Sequence, residues 1–197
     1  MNMNEELPSA TFDVRYYTNN NFVGAPIDGY KAPIILLTDQ AAKALIKVQA
    51  TLVPFGLSLK IFDGYRPQRA VNHFVRWAKD IADTKTKTQF YPDVDKANLF
   101  RDGYIAAKSG HSRGSTVDVT IVDIKTGKEL DMGTPFDFFG LPSWPDNPDM
   151  NSTVRANRAL LRAIMMQQGF KPLKEEWWHF TLKNEPYPNT YFDFPIQ

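Results

Sequence analysis

The chain has 197 residues, of which 43% are hydrophobic and 23% charged, and its formal net charge at pH 7 is +1. These values are typical of one soluble globular domain, which we expect to occupy residues 1–197. The balanced charge gives no electrostatic reason to expect a nucleic acid or a membrane surface as partner. The absence of cysteine excludes disulfides, a thiolate nucleophile and cysteine-ligated zinc.

No targeting signal is evident in the sequence. No apolar run approaches the roughly 20 residues that a membrane-spanning helix needs. Residues 1–13 lack the basic stretch followed by an apolar one that marks a secretory signal. We therefore expect a cytoplasmic protein, with a periplasmic location left open if a signal peptide has been removed. The oligomeric state is open as well, a homo-oligomer included.

The first half of the chain predicts two helices separated by a strand. Residues 1–37 show no clear periodicity, whereas Thr38 can cap a helix that Pro54 and Gly56 end. The apolar positions of this helix, at three-four spacing, are Ala42, Leu45, Ile46 and Leu52. Alternation of apolar and polar residues over 57–61 then predicts a strand.

The strand ends at the motif Asp63–Pro67, and Pro67 suits the first turn of a second helix. The apolar stripe expected for that helix consists of Val71, Phe74, Val75, Ala78 and Ile81. Residues 82–103 are mostly polar and predict a loop.

The second half predicts two further strands and a third helix. Alternation over residues 117–121 indicates a strand, and the Pro- and Gly-rich 131–151 segment indicates a long ordered loop. A helix is expected over 152–168, with Gly169 just past its end, and a last strand over 177–182. The expected buried side of the helix consists of Val154, Leu160, Leu161, Ile164 and Met165. This order of elements predicts an α+β domain with a central antiparallel sheet flanked by helices.

Two of the three histidines lie in motifs that suit a metal. His111 stands in Ser-Gly-His-Ser-Arg-Gly-Ser-Thr-Val-Asp, which ends at Asp118, and His179 stands in Glu-Glu-Trp-Trp-His-Phe. Catalytic zinc typically takes three imidazole or carboxylate ligands and keeps one position open for water. A turn at Gly114 can fold His111 and Asp118 toward one point. The three side chains would therefore satisfy a catalytic zinc ion.

Glu176 and Arg66 are the candidates for proton transfer and charge stabilisation. Glu176 can take a proton from water and give it to a departing nitrogen. Because residues 176 and 179 point to opposite faces of a regular strand, this role requires a bend near Trp177. Arg66 lies between a strand end and Pro67, where a rigidly held guanidinium could stabilise an oxyanion.

Each of these residues, taken singly, also fits a structural role. His179 could be a hydrogen-bonded strand residue, Asp118 could end a turn, Glu176 could be a solvated charge, and Arg66 could be a salt-bridge partner. Spacing alone leaves both interpretations open. His73 lies off the apolar stripe of the second helix without an acidic residue at ligand spacing, so we predict a structural role for it.

Together, the motifs resemble those of the zinc D-Ala-D-Ala peptidases, and most closely the D-alanyl-D-alanine dipeptidases of the VanX type. The matching segments span the chain nearly from end to end. They are Asp63–Pro67, Ser109–Asp118, Met132-Gly133 with Phe136–Phe138, Glu176–His179, Glu185–Pro188 and Tyr191–Pro195.

The resemblance implies an enzyme that hydrolyses the small dipeptide D-Ala-D-Ala to two D-alanines. It implies one zinc ion per chain, bound by His111, Asp118 and His179. It also implies Glu176 as the catalytic acid and base and Arg66 as the residue that stabilises the transition state.

The resemblance further implies that Tyr16 and Asp137 meet the ammonium end of the substrate and that Ser109 lines the pocket. The 131–151 segment and the aromatic tail could close the cavity against longer peptides. The sequence departs from the expected pattern around Tyr16–Asn21 and over Leu141–Asn151, and both stretches could border the pocket.

Two alternatives stay open at this point. One is a D,D-carboxypeptidase or endopeptidase that acts on longer peptidoglycan peptides. The other is a zinc-bearing binding module without chemistry, which should lack the glutamate or the arginine that this chain has in Glu176 and Arg66.

Overall fold

The computed structural model describes all of residues 1–197 and contains one five-stranded sheet in the order β1-β2-β3-β5-β4. The strands are β1 (Thr11–Phe12), β2 (Leu57–Asp63), β3 (Thr116–Asp123), β4 (Phe170–Pro172) and β5 (His179–Leu182). The α-helices are α1 (Met3–Glu6), α2 (Asp39–Leu52), α3 (Gln68–Lys79), α4 (Lys87–Phe90) and α5 (Ser152–Gln167). None of the helices is both long enough and apolar enough to cross a membrane.

The prediction of a single α+β domain is confirmed, and the sheet is mixed rather than wholly antiparallel. Strands β2, β3, β5 and β4 pair antiparallel with one another. The short β1 lies parallel to β2, at the edge of the sheet. Two residues are too few to show periodicity, so β1 could not be predicted from the pattern of residues.

The two long predicted helices, α2 and α5, begin at capping residues. Thr38 Oγ1 accepts a hydrogen bond from the amide of Ala41 at the start of α2, and Asn151 caps α5 in the same way. Gly56 adopts a left-handed conformation with φ 71° directly after the 3₁₀ turn that follows α2. The predicted bounds of both helices are therefore confirmed to within a residue or two.

Two details of the predicted apolar stripes are wrong. Helix α3 ends at Lys79, so Ile81 lies beyond it and is 53% exposed. Leu160 in α5 is 38% exposed, because its neighbour Leu161 takes the buried position and successive residues of a helix point about 100° apart. Both exposed residues lie far along the chain from the predicted metal ligands.

Strand β3 is the central element for the site. It is buried along nearly its whole length, so both of its faces are covered. Alternation places Val117, Val119 and Ile121 on one face of the sheet and Asp118 on the other. Asp118 and its cross-strand partner His179, two of the predicted metal ligands, lie on this second face.

Candidate metal centre and adjoining cavity

Three pieces of regular structure bring His111, Asp118 and His179 together. Asp118 in β3 and His179, the first residue of β5, are direct partners across the antiparallel ladder. His111 lies in the 3₁₀ turn Gly110–Arg113 that precedes β3. Gly114, with φ 78°, returns the chain from this turn into the strand, a conformation that favours glycine. The three predicted ligands thus meet on one face of the sheet.

The side-chain atoms of the three residues face one another. One nitrogen or oxygen from each lies within 4.8 Å of the others. His111 Nε2 is 3.3 Å from both His179 Nδ1 and Asp118 Oδ2, and His179 Nδ1 is 3.3 Å from Asp118 Oδ1. Two imidazoles and one carboxylate form the donor set expected for a catalytic zinc ion.

The hydrogen bonds around the cluster test whether it suits a cation. His111 Nδ1 lies 2.7 Å from the carbonyl oxygen of Gly64, which can only accept, so Nδ1 carries the proton and Nε2 turns its lone pair to the cluster. Asp118 Oδ1 is buried and receives no hydrogen bond. Lone pairs and an unpartnered carboxylate oxygen converging on one point fit a bound metal ion.

The electrostatics of the cluster agree with this fit. Burial raises the pKa of Asp118, but the interactions of this carboxyl with the imidazoles of His111 and His179 outweigh burial and hold the pKa well below its usual value. Burial lowers the pKa of His179, and hydrogen bonds to Asp118 and Glu176 reverse this and raise the pKa to about 9. The carboxylates therefore favour a positive charge at this position.

Glu176 reaches the cluster because the chain bends as its predicted role requires. Trp177 and Trp178 form a turn, and β5 begins only at His179, two residues later than predicted. Glu176 Oε2 lies 3.3 Å from His179 Nδ1. The turn thus brings side chains that a straight strand would separate onto the same side.

Arg66 makes a salt bridge and also faces the cluster. Its guanidinium donates to Asp63 Oδ2 at 2.9 Å and lies 3.4 Å from Asp118 Oδ2. The rings of Tyr16 and Phe74 flank it, with centroids 5.0 and 5.2 Å from Cζ. The side chain is held on several sides and has little freedom to move.

Asp63 holds the Arg66 side chain, a contact to which the sequence assigned no role. It is fully buried, accepts a hydrogen bond from the hydroxyl of Tyr30 at 2.7 Å and anchors Arg66. Burial, the largest effect on this carboxyl, raises its pKa. The signal that could have identified Asp63 from the sequence is its place at the end of β2, inside the Asp63–Pro67 motif.

Tyr16 and Asp137 form a second polar pair. The Tyr16 hydroxyl lies 2.9 and 3.1 Å from the two Asp137 carboxylate oxygens. Burial and the charge of Asp118 raise the pKa of Asp137 well above its usual value. Asp137 has φ 64°, the only positive φ outside glycine, so its backbone is held in a conformation of higher energy.

A cavity of about 220 Å³ joins the two polar groups. Seven of the eight predicted site residues line it: Tyr16, Arg66, Ser109, Asp118, Asp137, Glu176 and His179. His111 stands directly behind, 1% exposed. Among the wall residues, Phe74 belongs to the predicted apolar stripe of α3. Tyr104 and Phe139 were not singled out from the sequence, because aromatic residues in irregular segments give no periodic signal.

The other two predicted details concern Ser109 and His73. The hydroxyl of Ser109 accepts a hydrogen bond from the amide of His111 at 3.3 Å and caps the turn that carries this histidine. His73 lies outside the site: its Nδ1 accepts from the amide of Asp28 at 3.2 Å. This contact agrees with the structural role predicted for His73.

Comparison with known proteins adds an independent observation. A family model described as D-ala-D-ala dipeptidase matches residues 1–197. A D-alanyl-D-alanine dipeptidase of Streptomyces coelicolor is 44% identical over 194 residues, covering 98% of this chain and 96% of the relative. One of Enterococcus faecium is 40% identical over 195 residues, covering 99% and 96%. A zinc complex of a mutant VanY D,D-pentapeptidase from a VanB-type vancomycin-resistance cassette is a distant likeness, with a TM-score of 0.43 and 15% identity over 74% of this chain and 72% of that one.

Proposed function

The chain belongs to the D-Ala-D-Ala dipeptidase family, and from this membership we propose that its cavity hydrolyses D-alanyl-D-alanine with zinc held by His111, Asp118 and His179. The observation that carries the proposal is the convergence of two imidazoles and a buried, unpartnered carboxylate oxygen beside a small cavity. When bound, zinc supplies Lewis acidity toward a carbonyl oxygen and toward water. The remaining chemistry falls to side chains of the cavity wall.

Glu176 is the proposed acid and base. Its carboxylate lines the cavity beside His179, within reach of the space that a peptide bond would occupy. It accepts a proton from the attacking water and donates that proton to the nitrogen of the departing D-alanine, so the amine leaves neutral. The lost peptide C–N bond is replaced by a C–O bond, and no other reactant is needed.

Arg66 is the proposed stabiliser of the negative charge on the carbonyl oxygen. Asp63 and the flanking rings hold its guanidinium in place before substrate arrives. A donor that is already oriented loses no reorganisation energy when charge develops in the transition state. The salt bridge thus supports the proposed role rather than competing with it.

Tyr16 and Asp137 are proposed to recognise the substrate ammonium. A buried carboxylate gains a strong charge-assisted hydrogen bond when an ammonium group arrives beside it. The Tyr16 hydroxyl fixes the orientation of that carboxylate. Ser109 is proposed to line the pocket and to hold the turn that carries His111.

The size of the cavity favours a dipeptide over the longer peptides of the first alternative. At about 220 Å³ it is smaller than the roughly 300–1,000 Å³ of sites for drug-sized ligands. The whole of residues 1–197 is proposed to form this one catalytic domain. The cytoplasmic location, the absence of nucleic-acid and membrane partners and the oligomeric state stay predictions.

The proposal is tested by measuring D-alanine release from D-Ala-D-Ala and from a pentapeptide that ends in D-Ala-D-Ala. We expect rapid release from the dipeptide, loss of activity with a chelator, recovery with added zinc, and slow release from the pentapeptide. A preference for the pentapeptide would favour a carboxypeptidase. Undiminished activity in the metal-stripped protein would contradict the zinc proposal.

A further inference from the structure

Asp137 lies in the 131–151 segment, which has only one turn of 3₁₀ helix, at Leu141–Ser143. Nothing in the regular structure of the segment itself fixes the carboxylate, although Asp137 is buried and holds a positive φ. A strained residue keeps its conformation only when its surroundings determine it from several sides. Other parts of the molecule must therefore supply that constraint.

The side chain of Arg158, on α5, supplies the most concentrated set of contacts. Its Nε donates to the carbonyl of Met132 at 2.8 Å, Nη1 to that of Trp144 at 2.8 Å, and Nη2 to that of Pro142 at 2.7 Å. All three acceptors belong to the 131–151 segment. Asp137 lies midway in the sequence between Met132 and Pro142. One guanidinium therefore joins the two limbs of the loop, the one that precedes Asp137 and the one that follows it.

The chemistry of this contact is specific to arginine. Arg158 is 4% exposed, and burial lowers its pKa to about 10, so it remains charged at neutral pH. Its planar guanidinium presents donors in several fixed directions, which a lysine ammonium on a flexible stem does not match. The three carbonyls would be left without their donor in the interior if it were removed, a loss of charged hydrogen bonds.

The backbone around the contact is adapted to it. Gly133 has φ 81°, and a Cβ there would lie 2.9 Å from Cγ1 of Val154 and 3.4 Å from Nη2 of Arg158. Glycine thus lets one limb approach α5 closely. The other limb is tied by Ser143, whose hydroxyl donates to the carbonyl of Phe138, next to Asp137, at 2.5 Å.

We infer that Arg158 is a positioning residue, outside the cavity, that sets the place of the Asp137 carboxylate and thereby the recognition of the substrate ammonium. The inference rests on the proposed function, since it takes Asp137 as the group that meets the ammonium. Arg158 itself does not line the cavity, and three of its five N–H groups donate to backbone carbonyls. Its effect is therefore indirect and confined to one end of the substrate.

The test compares D-Ala-D-Ala with N-propionyl-D-alanine, which differs from it only by a hydrogen in place of the ammonium. In Arg158→Met we expect KM for the dipeptide to rise roughly tenfold or more, the effect of losing a charged hydrogen bond. The inhibition constant of N-propionyl-D-alanine against dipeptide hydrolysis should stay near the wild-type value. Arg158→Lys should give a smaller rise in KM, because it keeps the charge with fewer oriented donors. If Arg158→Met does not fold, the same two constants are compared in Arg158→Lys.

Two further variants separate the possible causes. Arg162→Met, on the same helix, removes an exposed arginine that pairs with Asp146 and should leave both constants unchanged. The double variant Asp137→Asn with Arg158→Met should have the KM of Asp137→Asn alone, because one residue acts through the other. Additive effects, or an equal rise of KM and the inhibition constant, would overturn the inference. If Asp137→Asn alone left KM unchanged, the fault would lie in the proposed ammonium site, and zinc-dependent release of D-alanine would be unaffected.

Discussion

The metal cluster and the Asp137 end of the cavity are positioned in two different ways. Asp118 and His179 face each other across a strand pair, and the 3₁₀ turn with His111 leads directly into the same strand. Asp137 lies on an irregular loop that hydrogen bonds from side chains hold in place. Backbone pairing fixes the atoms nearest the proposed chemistry, whereas side chains fix the atoms that would select the substrate.

This difference predicts different kinetic signatures for the two regions. At the metal end of the cavity, which comprises the three predicted ligands with Glu176 and Arg66, changes should lower kcat, because they remove groups needed in the transition state. At the loop end of the cavity, which comprises Asp137 and the side chains that hold its loop, changes should mainly raise KM for substrates that carry an ammonium. The predictions below test this division, beginning with the largest expected effect.

Replacing Glu176 by Gln should have the largest effect. We expect kcat to fall by roughly 10²–10⁴, the usual contribution of a general acid–base group, with zinc content unchanged. D-alanine release and the metal content of the purified protein are measured together. Glu175→Gln is the matched control, because Glu175 lies in the same bend but does not line the cavity; a comparable loss there would contradict the assignment.

Replacing Arg66 by Lys should have the next largest effect. Loss of one preorganised donor to an oxyanion typically costs about 2.7–4 kcal/mol of barrier, or roughly 10²–10³ in kcat. The control is Arg69→Lys, an exposed arginine that pairs with Asp193 and should leave kcat unchanged. A rise in KM with normal kcat in Arg66→Lys would place this residue in substrate binding instead.

The pH dependence of KM should report the loop end. Because burial raises the pKa of Asp137, its carboxyl stays protonated to a higher pH than usual in the free enzyme. The ionised form binds the ammonium, so KM should fall as pH rises through this raised pKa. In Asp137→Asn the fall should disappear while the pH profile of kcat stays similar, and a persisting fall would assign the titration to another group.

Replacing Ser109 by Ala should have the smallest effect. The hydroxyl caps the short turn that carries His111, and such a cap contributes about 1 kcal/mol. In a chain of this size that corresponds to a fall in Tm of roughly 2–4 °C. Thermal unfolding with and without zinc measures it. An unchanged Tm together with a raised KM would show that Ser109 acts on the substrate rather than on the turn.

The two regions also differed in how well the sequence predicted them. Local rules predicted the features near the metal cluster. Capping at Thr38 predicted α2, alternation of apolar residues predicted β3, and the glycine turn at Gly114 predicted the approach of His111 to Asp118. The bend at Trp177 was required by chemistry rather than by pattern, and the structure contains it. The short β1 and β4 had too few residues to show a period.

The loop end was beyond local rules. Tyr16 and Asp137 lie 121 residues apart, and only the family resemblance brought them together before the structure did. The role of Arg158 left no trace in the pattern, because its three acceptors are backbone carbonyls, which any residue provides. Asp63 lies in a motif that the sequence analysis identified, but its hydrogen bond with Arg66 cannot be predicted from residue spacing.

The central claim is that three side chains from separate parts of the chain bind one zinc ion. It is tested most directly by anomalous diffraction at the zinc edge from crystals of the zinc-loaded protein. The account predicts one anomalous peak within about 2.0–2.2 Å of His111 Nε2, His179 Nδ1 and an Asp118 oxygen. A loaded crystal whose only peak lies elsewhere, or touches just one of these residues, would contradict it.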